Sequence, residues 1–349
     1  VEKKQTKILI TGKNGQLGQH LIKFFQENYP TYILIGTARH KSYEKQPTIF
    51  DNNKIITELL DLCDVISVED CIKNHKPDYI FNTAANAFVG ESWKVPYQHL
   101  QVNTVGVLNI LESIKKFSLE SKFLNLGTSE EFACTIEQGK TKQTEETKIS
   151  PKSPYAVSKA SARFLIDVYK ESFGLFAVQP WVFNFESKLR GEKYFTRKVT
   201  KGVARIFNAI KENRTFEPIQ LGNLKSYRSW QHAKDVVDGL WKIINQENAL
   251  KPYVLSENKT HKIKEFVEKS FLVANIEGHW EGENLEEIFL AKNGDILVAV
   301  NPEFFRPSDV TYLSGDSSLI RKELGWEPKI SFDELVEEMV LNDIAELKS

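Results

Sequence analysis

The 349-residue sequence has only three cysteines, Cys63, Cys71 and Cys134, in no paired spacing. That scarcity argues against a disulfide framework or a structural zinc centre and makes a reducing compartment the default. Charge of one sign is missing as well, with 46 Lys plus Arg against 47 Asp plus Glu. A balanced chain offers no global field to nucleic acid or an anionic membrane, so any polyanion it binds is expected to be small and locally recognised. No run reaches the roughly 18 apolar residues that span a bilayer. The opening VEKKQTKILITG lacks the apolar core and small-residue cleavage pattern of a secretory leader. A cytoplasmic protein that contacts neither membrane nor nucleic acid is the expectation.

What is present is alternation. Short apolar runs at 7–11, 32–36, 55–60, 79–83 and 122–126 read as strands, separated by helix-like stretches that include 68–74 and 105–115. Strands spaced by helices on this scale predict right-handed crossovers and one parallel sheet, an α/β fold. Pro151 and Pro154 mark a loop before a long helix over 155–169, and 176–183 reads as one further strand. Later helices are expected at 199–210, 232–244, 263–273 and 332–342, with loops and short strands of a cap over 280–312. Residues 1–183 are assigned mainly to the sheet domain and 184–349 mainly to a smaller lobe, some segments of which return to the first.

Directly after the first strand stands GKNGQLG, with Gly12, Gly15 and Gly18 spaced G-x-x-G-x-x-G. Two of these permit a tight turn and close approach of a pyrophosphate, and the third lets the helix pack on the sheet. Backbone N–H groups at the helix start, at Gln16 and Leu17, suit phosphate. Strand, turn and helix in this order mark a Rossmann-type dinucleotide-binding half. The second strand ends in GTARHK, with Arg39 and no acid, which favours NADP over NAD because a guanidinium pairs with a 2′-phosphate. A solvated basic loop is the bland alternative. Asp61 and Leu62, beyond the third strand, and Ala84, beyond the fourth, are candidates to line the dinucleotide, Asp61-Leu62 equally a strand-end turn.

Tyr155 and Lys159 share a helix face four residues apart, and a nearby ammonium would favour a tyrosinate base for a substrate hydroxyl. Thr128, Ser129 and Glu130 follow the strand at 122–126, at the edge where such sheets place ligands. Thr128 can donate to the reacting oxygen. Glu130 supplies a carboxylate able to take a carbon-bound proton, with Glu131 beside it as the competing candidate.

TGxxGQxG at 11–18, TSE at 128–130, SPYAxxK at 153–159, LGNLxxxRxWxHAKD at 221–235, FFRPxxV at 304–310 and KELGWEPK at 322–329 resemble the GDP-mannose 4,6-dehydratase family of extended short-chain dehydrogenase/reductases. The run from Phe183-Asn184 through Arg190-Gly191-Glu192 to Thr196-Arg197-Lys198 carries the most specific part of the likeness. The resemblance implies a Rossmann-type sheet with a smaller C-terminal substrate-binding lobe, bound NADP, a GDP-sugar substrate, and a homo-oligomer, dimer or tetramer, joined around residues 41–49. It implies catalysis by Thr128, Glu130, Tyr155 and Lys159. It also implies that Asn86, Asn184, Lys198, Arg228 and Arg306 hold the nucleotide sugar, with Glu130, and it implies no metal.

Three departures stand out. The family's usual Ala-Gln-Ser-His-Val-Gly is here Ala85-Asn86-Ala87-Phe88-Val89-Gly90, Gln231 replaces a glycine before His232, and Glu131-Phe132-Ala133 replaces Leu-Tyr-Gly. The first points to a changed sugar pocket and raises GDP-manno-heptose as an alternative substrate. A C4 epimerase or dehydrogenase, which has no need of Glu130, and a non-catalytic NADP-binding subunit are the remaining rivals.

Overall fold

The computed structural model describes residues 5–39, 48–132, 142–247, 250–304 and 312–347. Six parallel strands form the main sheet: β1 (Lys7–Thr11), β2 (Ile33–Ala38), β3 (Ile56–Leu59), β4 (Tyr79–Asn82), β5 (Lys122–Asn125) and β6 (Ala177–Val178), in the spatial order β3-β2-β1-β4-β5-β6. The order reverses between β1 and β4, so the crevice beyond their carboxyl ends is where such a sheet receives a ligand. Helices α1 (Gln16–Asn28), α2 (Val65–His75), α3 (Val89–Ser92), α4 (Pro96–Leu100), α5 (Gly106–Phe117) and α6 (Pro154–Phe173) make the crossovers. This is the Rossmann-type α/β fold expected from the alternation.

Local chemistry sets the helix ends. Asp64 caps α2 by accepting from the N–H groups of Ile66 and Ser67. Ser153 caps α6 ahead of Pro154, and Gly174 closes that helix in the left-handed region at φ 67°. Between α4 and α5 the chain makes a π-helical turn, Gln101–Val105, in which the N–H of Gly106 reaches back to the carbonyl of Gln101.

The expected strand over 176–183 is two short strands. Ala177–Val178 stays in the main sheet, whereas Trp181–Val182 pairs with Val254–Leu255 outside it. Pro180 lacks the N–H that a continuous ladder needs, and Gln179 turns inward, so the chain changes partners between them.

Beyond this point come α7 (Phe195–Lys211), α8 (Ala233–Ile244), α9 (Ile263–Val273), α10 (Ser318–Leu324) and α11 (Phe332–Glu346). Helix α8 packs its Val236, Leu240 and Ile243 into the core under the main sheet with Ile8, Ile10 and Phe81, so the chain returns to the first half. A second core joins α7, α9 and α11 through Val199, Phe266, Val336 and Met339. The cap stretch is more regular than its composition predicts. Gly278–Glu281, Ile288–Ala291 and Ile296–Val300 form an antiparallel meander that pairs in parallel with Ile219–Leu221.

Candidate active site

The glycine loop shapes one wall of the cleft by omission. Gly12 sits at φ 71°, and a Cβ there would stand 3.0 Å from the Ala84 Cα. A Cβ on Gly18 would come within 2.3 Å of the Gly12 carbonyl oxygen. Removing side chains thus lets β1, α1 and the end of β4 close on one another and leaves a cavity of about 300 Å³ over the loop. Gly12, Gly15, Arg39, Asp61, Leu62, Ala84 and Asn86 all line it, so the first six, the sequence's candidates for the dinucleotide, share one cavity.

Leu17 and Gln16 sit differently. The Leu17 side chain is 4% exposed in the core below the sheet, so only its backbone faces the loop. Gln16 sends its amide across to the chain at Phe185 and Ser187, each contact 3.1 Å. Asn14, missed by the sequence reading, has both amide atoms buried with no hydrogen-bond partner. Its place inside the glycine spacing was the available signal. An orphaned amide, a cradle with no Cβ and the N-terminus of α1 together fit the phosphates of a dinucleotide.

Thr128 to Glu131 form a tight turn at the end of β5, in which the Thr128 hydroxyl accepts from the Glu130 N–H at 3.3 Å. Helix α6 brings Tyr155 beside it. Burial pushes the Tyr155 phenol well above its ordinary value, and a hydrogen bond with the Thr128 hydroxyl pulls the other way. The nearby charges of Tyr194, Glu130 and Glu131 add to the upward push. Lys159 is itself lowered to about 8 by burial, Glu131 opposing, and its ammonium donates to the Leu126 carbonyl at 2.8 Å.

Glu130 and Glu131 have opposite surroundings. Glu131 is fully buried, accepting from Arg163 at 2.5 Å, from Gln179 at 3.0 Å and from the Thr128 N–H at 3.0 Å. The Arg163 guanidinium carbon lies over the Trp181 ring, 3.8 Å from its centroid. These bonds fix the turn and leave Glu131 no freedom to move a proton at the cleft. Glu130, partly exposed, remains as the carboxylate beside Tyr155.

On the far side, Asn184 keeps a buried side-chain oxygen without a partner. Lys198, in the first turns of α7, is lowered by burial and lies 3.5 Å above the Phe304 ring. Arg228 is 9% exposed and donates to the Tyr227 carbonyl at 2.9 Å. Arg306 lies outside the described residues, as do Cys134 and most of the segment at 41–49. Asn86 is clamped: its N–H donates to the Asn103 side chain at 2.9 Å and its carbonyl accepts from that same side chain at 2.9 Å. Phe88 meets Tyr194 edge to face at 5.5 Å, and the Arg190 guanidinium lies over the Tyr194 ring at 3.6 Å. Among the described residues, no three His, Cys, Asp or Glu side chains converge to hold a metal, and no helix is long and apolar enough to cross a membrane.

The family pattern described as GDP-mannose 4,6 dehydratase matches residues 9–339. A relative named GDP-mannose 4,6 dehydratase, from Drosophila melanogaster, is 34% identical over 346 residues, covering 96% of this chain and 85% of its own. Two solved structures share the fold at 19% identity. The UDP-glucose 4-epimerase of Thermotoga maritima with UDP-glucose has a TM-score of 0.80 and covers 99% of this chain and 100% of that one. RMD of Pseudomonas aeruginosa complexed with NADPH has a TM-score of 0.76, with 98% and 100% covered. With the pattern matched across nearly its whole length and a relative of this identity, the chain belongs to the GDP-mannose 4,6 dehydratase family.

Proposed function

We propose that the protein is an NADP-dependent nucleotide-sugar 4,6-dehydratase that converts GDP-mannose, or a close relative of it, to the 4-keto-6-deoxy sugar. The observation that carries the reading is the turn at the end of β5, which sets Glu130 and Thr128 beside Tyr155 while committing Glu131 to Arg163.

Tyr155 takes the proton of the C4 hydroxyl, and Thr128 donates to the same oxygen and steadies it. Lys159, four residues on, holds the nicotinamide ribose and lowers the cost of the tyrosinate. Bound NADP would accept a hydride from C4 and return one to C6, with no net redox change. The C4 ketone acidifies C5, and Glu130 removes that proton and delivers one to the C6 hydroxyl, which leaves as water. A proton then returns to C5. Gly12, Gly15, Gly18 and the N–H groups of Gln16 and Leu17 hold the pyrophosphate, with Asp61, Leu62 and Ala84 along the adenosine. Arg39, exposed at the cavity rim, pairs with a 2′-phosphate and supports NADP over NAD. Asn184, Lys198, Arg228 and Arg306 hold the GDP, and Asn86 faces the sugar. The same family reading makes the protein a homo-oligomer. Ala87 and Phe88, standing where the family carries a serine and a histidine, support a second reading of the sugar, a GDP-manno-heptose, because the lost hydroxyl and imidazole change the polar contacts open to the hexose, and Phe88 packs on Tyr194 instead.

The test uses GDP-mannose and GDP-manno-heptose in deuterated water. The protein is expected to remove one water and place deuterium at C5. Glu130→Gln keeps the fold and binds both ligands, while dehydration falls by about 10²–10⁴-fold. A product that keeps its C6 hydroxyl refutes dehydration in favour of epimerisation or oxidation. NADP binding without turnover of either sugar makes the protein a non-catalytic subunit.

A further inference from the structure

The side chain of Gln16 spends both its polar ends on the opposite half of the cleft. Its Nε2 donates to the Phe185 carbonyl, 169 residues away in sequence, and its Oε1 accepts from the Ser187 hydroxyl, both at 3.1 Å. Ser187 is fully buried, and its oxygen also accepts from His20 on the next turn of α1, at 3.1 Å, and from the Leu189 N–H at 3.2 Å. With the one hydroxyl proton directed at Gln16, the His20 contact is a donation from its Nε2–H. Two residues of α1 are therefore hydrogen-bonded to one short segment of the sugar side.

That segment is placed to sense the second ligand. Asn184, directly before Phe185, carries the buried unpartnered oxygen, and Glu186 between the two contacts binds Thr196 at 2.8 Å and Arg190 at 3.2 Å. Thr196 lies in the first turn of α7, two residues from Lys198. On the other side of the bridge, Gln16 opens α1, whose first N–H groups are the ones assigned above to the phosphates, two residues after the orphaned amide of Asn14. Each unsatisfied amide is costly until a ligand group meets it. Each ligand that does so orders its own segment, and the bridge makes the ordering common to both. Whichever ligand binds first bears that ordering cost, and the second binds more tightly for it.

We propose that Gln16, with Ser187, is a positioning pair that couples the two ligand sites, so that a bound nucleoside diphosphate tightens the hold on the dinucleotide and the reverse. The proposal rests on the functional reading above and adds to it a reason why the cofactor stays in place between giving up and recovering its hydride. Linkage requires the two tightening factors to be equal.

The experiment measures the dissociation constant of NADP by calorimetry without and with saturating GDP, and that of GDP without and with saturating NADP. GDP is the probe because it fills the nucleotide subsite without turnover. In the unaltered protein each ligand is expected to tighten the other by about 5-fold or more. In Gln16→Met, which keeps the length of the side chain without its hydrogen bonds, and in Ser187→Ala, which lies away from the phosphates, the factor drops to within about 2-fold of unity. A merely structural bridge lowers stability and leaves the factor intact. Independent binding in the unaltered protein overturns the proposal, and so does an undiminished factor in a folded variant. If Gln16→Met does not fold, Ser187→Ala decides. Failure of either ligand to bind by itself is a different result: it removes the functional reading, and the coupling with it.

Discussion

On the sheet side of the cleft the surface is made by what side chains leave out: Gly12 and Gly18 keep the loop, α1 and the end of β4 in contact. Across from it, Lys198 and Arg228 present charge from α7 and the strand before Trp230, next to a second core, and Asn184 adds an amide from the chain between Phe183 and Phe185. The first side is sensitive to added atoms and the second to removed groups. The two meet at the turn after β5, whose rigidity comes from the buried Glu131–Arg163 pair. The contrast explains why a glycine spacing is informative about one ligand while the other needs named residues in a particular order.

The largest effect is expected at the seam. Glu131→Gln leaves Arg163 charged and uncompensated in the interior, a cost of about 3–5 kcal/mol that thermal melts report as a large drop in stability, while Glu130→Gln one residue away leaves the melting temperature unchanged. Equal melting of the two variants would erase the distinction between a carboxylate that builds the cleft and one that works in it. Next comes Gly18→Ala, where a Cβ meets the Gly12 carbonyl at 2.3 Å. Overpacking of this kind costs about 1–3 kcal/mol, so NADP affinity measured alone falls about 10-fold or more, and GDP affinity measured alone hardly changes.

The converse is expected of Lys198→Met, which removes a charge-assisted contact and weakens GDP by about 10-fold with NADP unaffected. Should both substitutions weaken both ligands equally when each is titrated by itself, the two-sided description fails. The smallest effect concerns pH. Burial, with the neighbouring His232, pushes His20 down to about 3 from 6.5. The unfolded chain takes up that proton near 6.5, so stability present above this pH is lost progressively as the pH falls toward 3. Melting temperature should decline from pH 7 to pH 5, and His20→Gln, which keeps a donor toward Ser187 without a titrating group, should flatten the decline.

Much of the sheet side was legible because its determinants are local. The strand Lys7–Thr11 and the helix Ile263–Val273 fall where periodicity places them, and the glycine loop, Tyr155 and Lys159 announce themselves by spacing. What was not legible depends on partners far along the chain. Glu130 and Glu131 are indistinguishable in the sequence, since their difference is made by Arg163 and Gln179, which lie 32 and 48 residues further on. The continuous strand expected over 176–183 broke because Pro180 hands the chain to Val254–Leu255, a pairing that no local pattern encodes. Gln16 stands out through the glycine motif, which speaks for its backbone, whereas the direction of its side chain toward Phe185 and Ser187 has no local signal.

The π-helical turn at Gln101–Val105 has a further consequence for how such a chain tolerates change. A π turn holds one residue more than an α turn, and here the extra residue carries Asn103 round to clamp both backbone groups of Asn86 and to reach Ser158 at 3.0 Å. The wall of the cleft at Asn86 is therefore set by a count of residues as well as by the asparagine that the count delivers. A descendant lacking one residue of this stretch would wind as a regular helix, swing Asn103 about 100° around the axis and release Asn86. Along most surface segments a change of length is the mild event, but in this turn losing one residue undoes as much as replacing Asn103 itself.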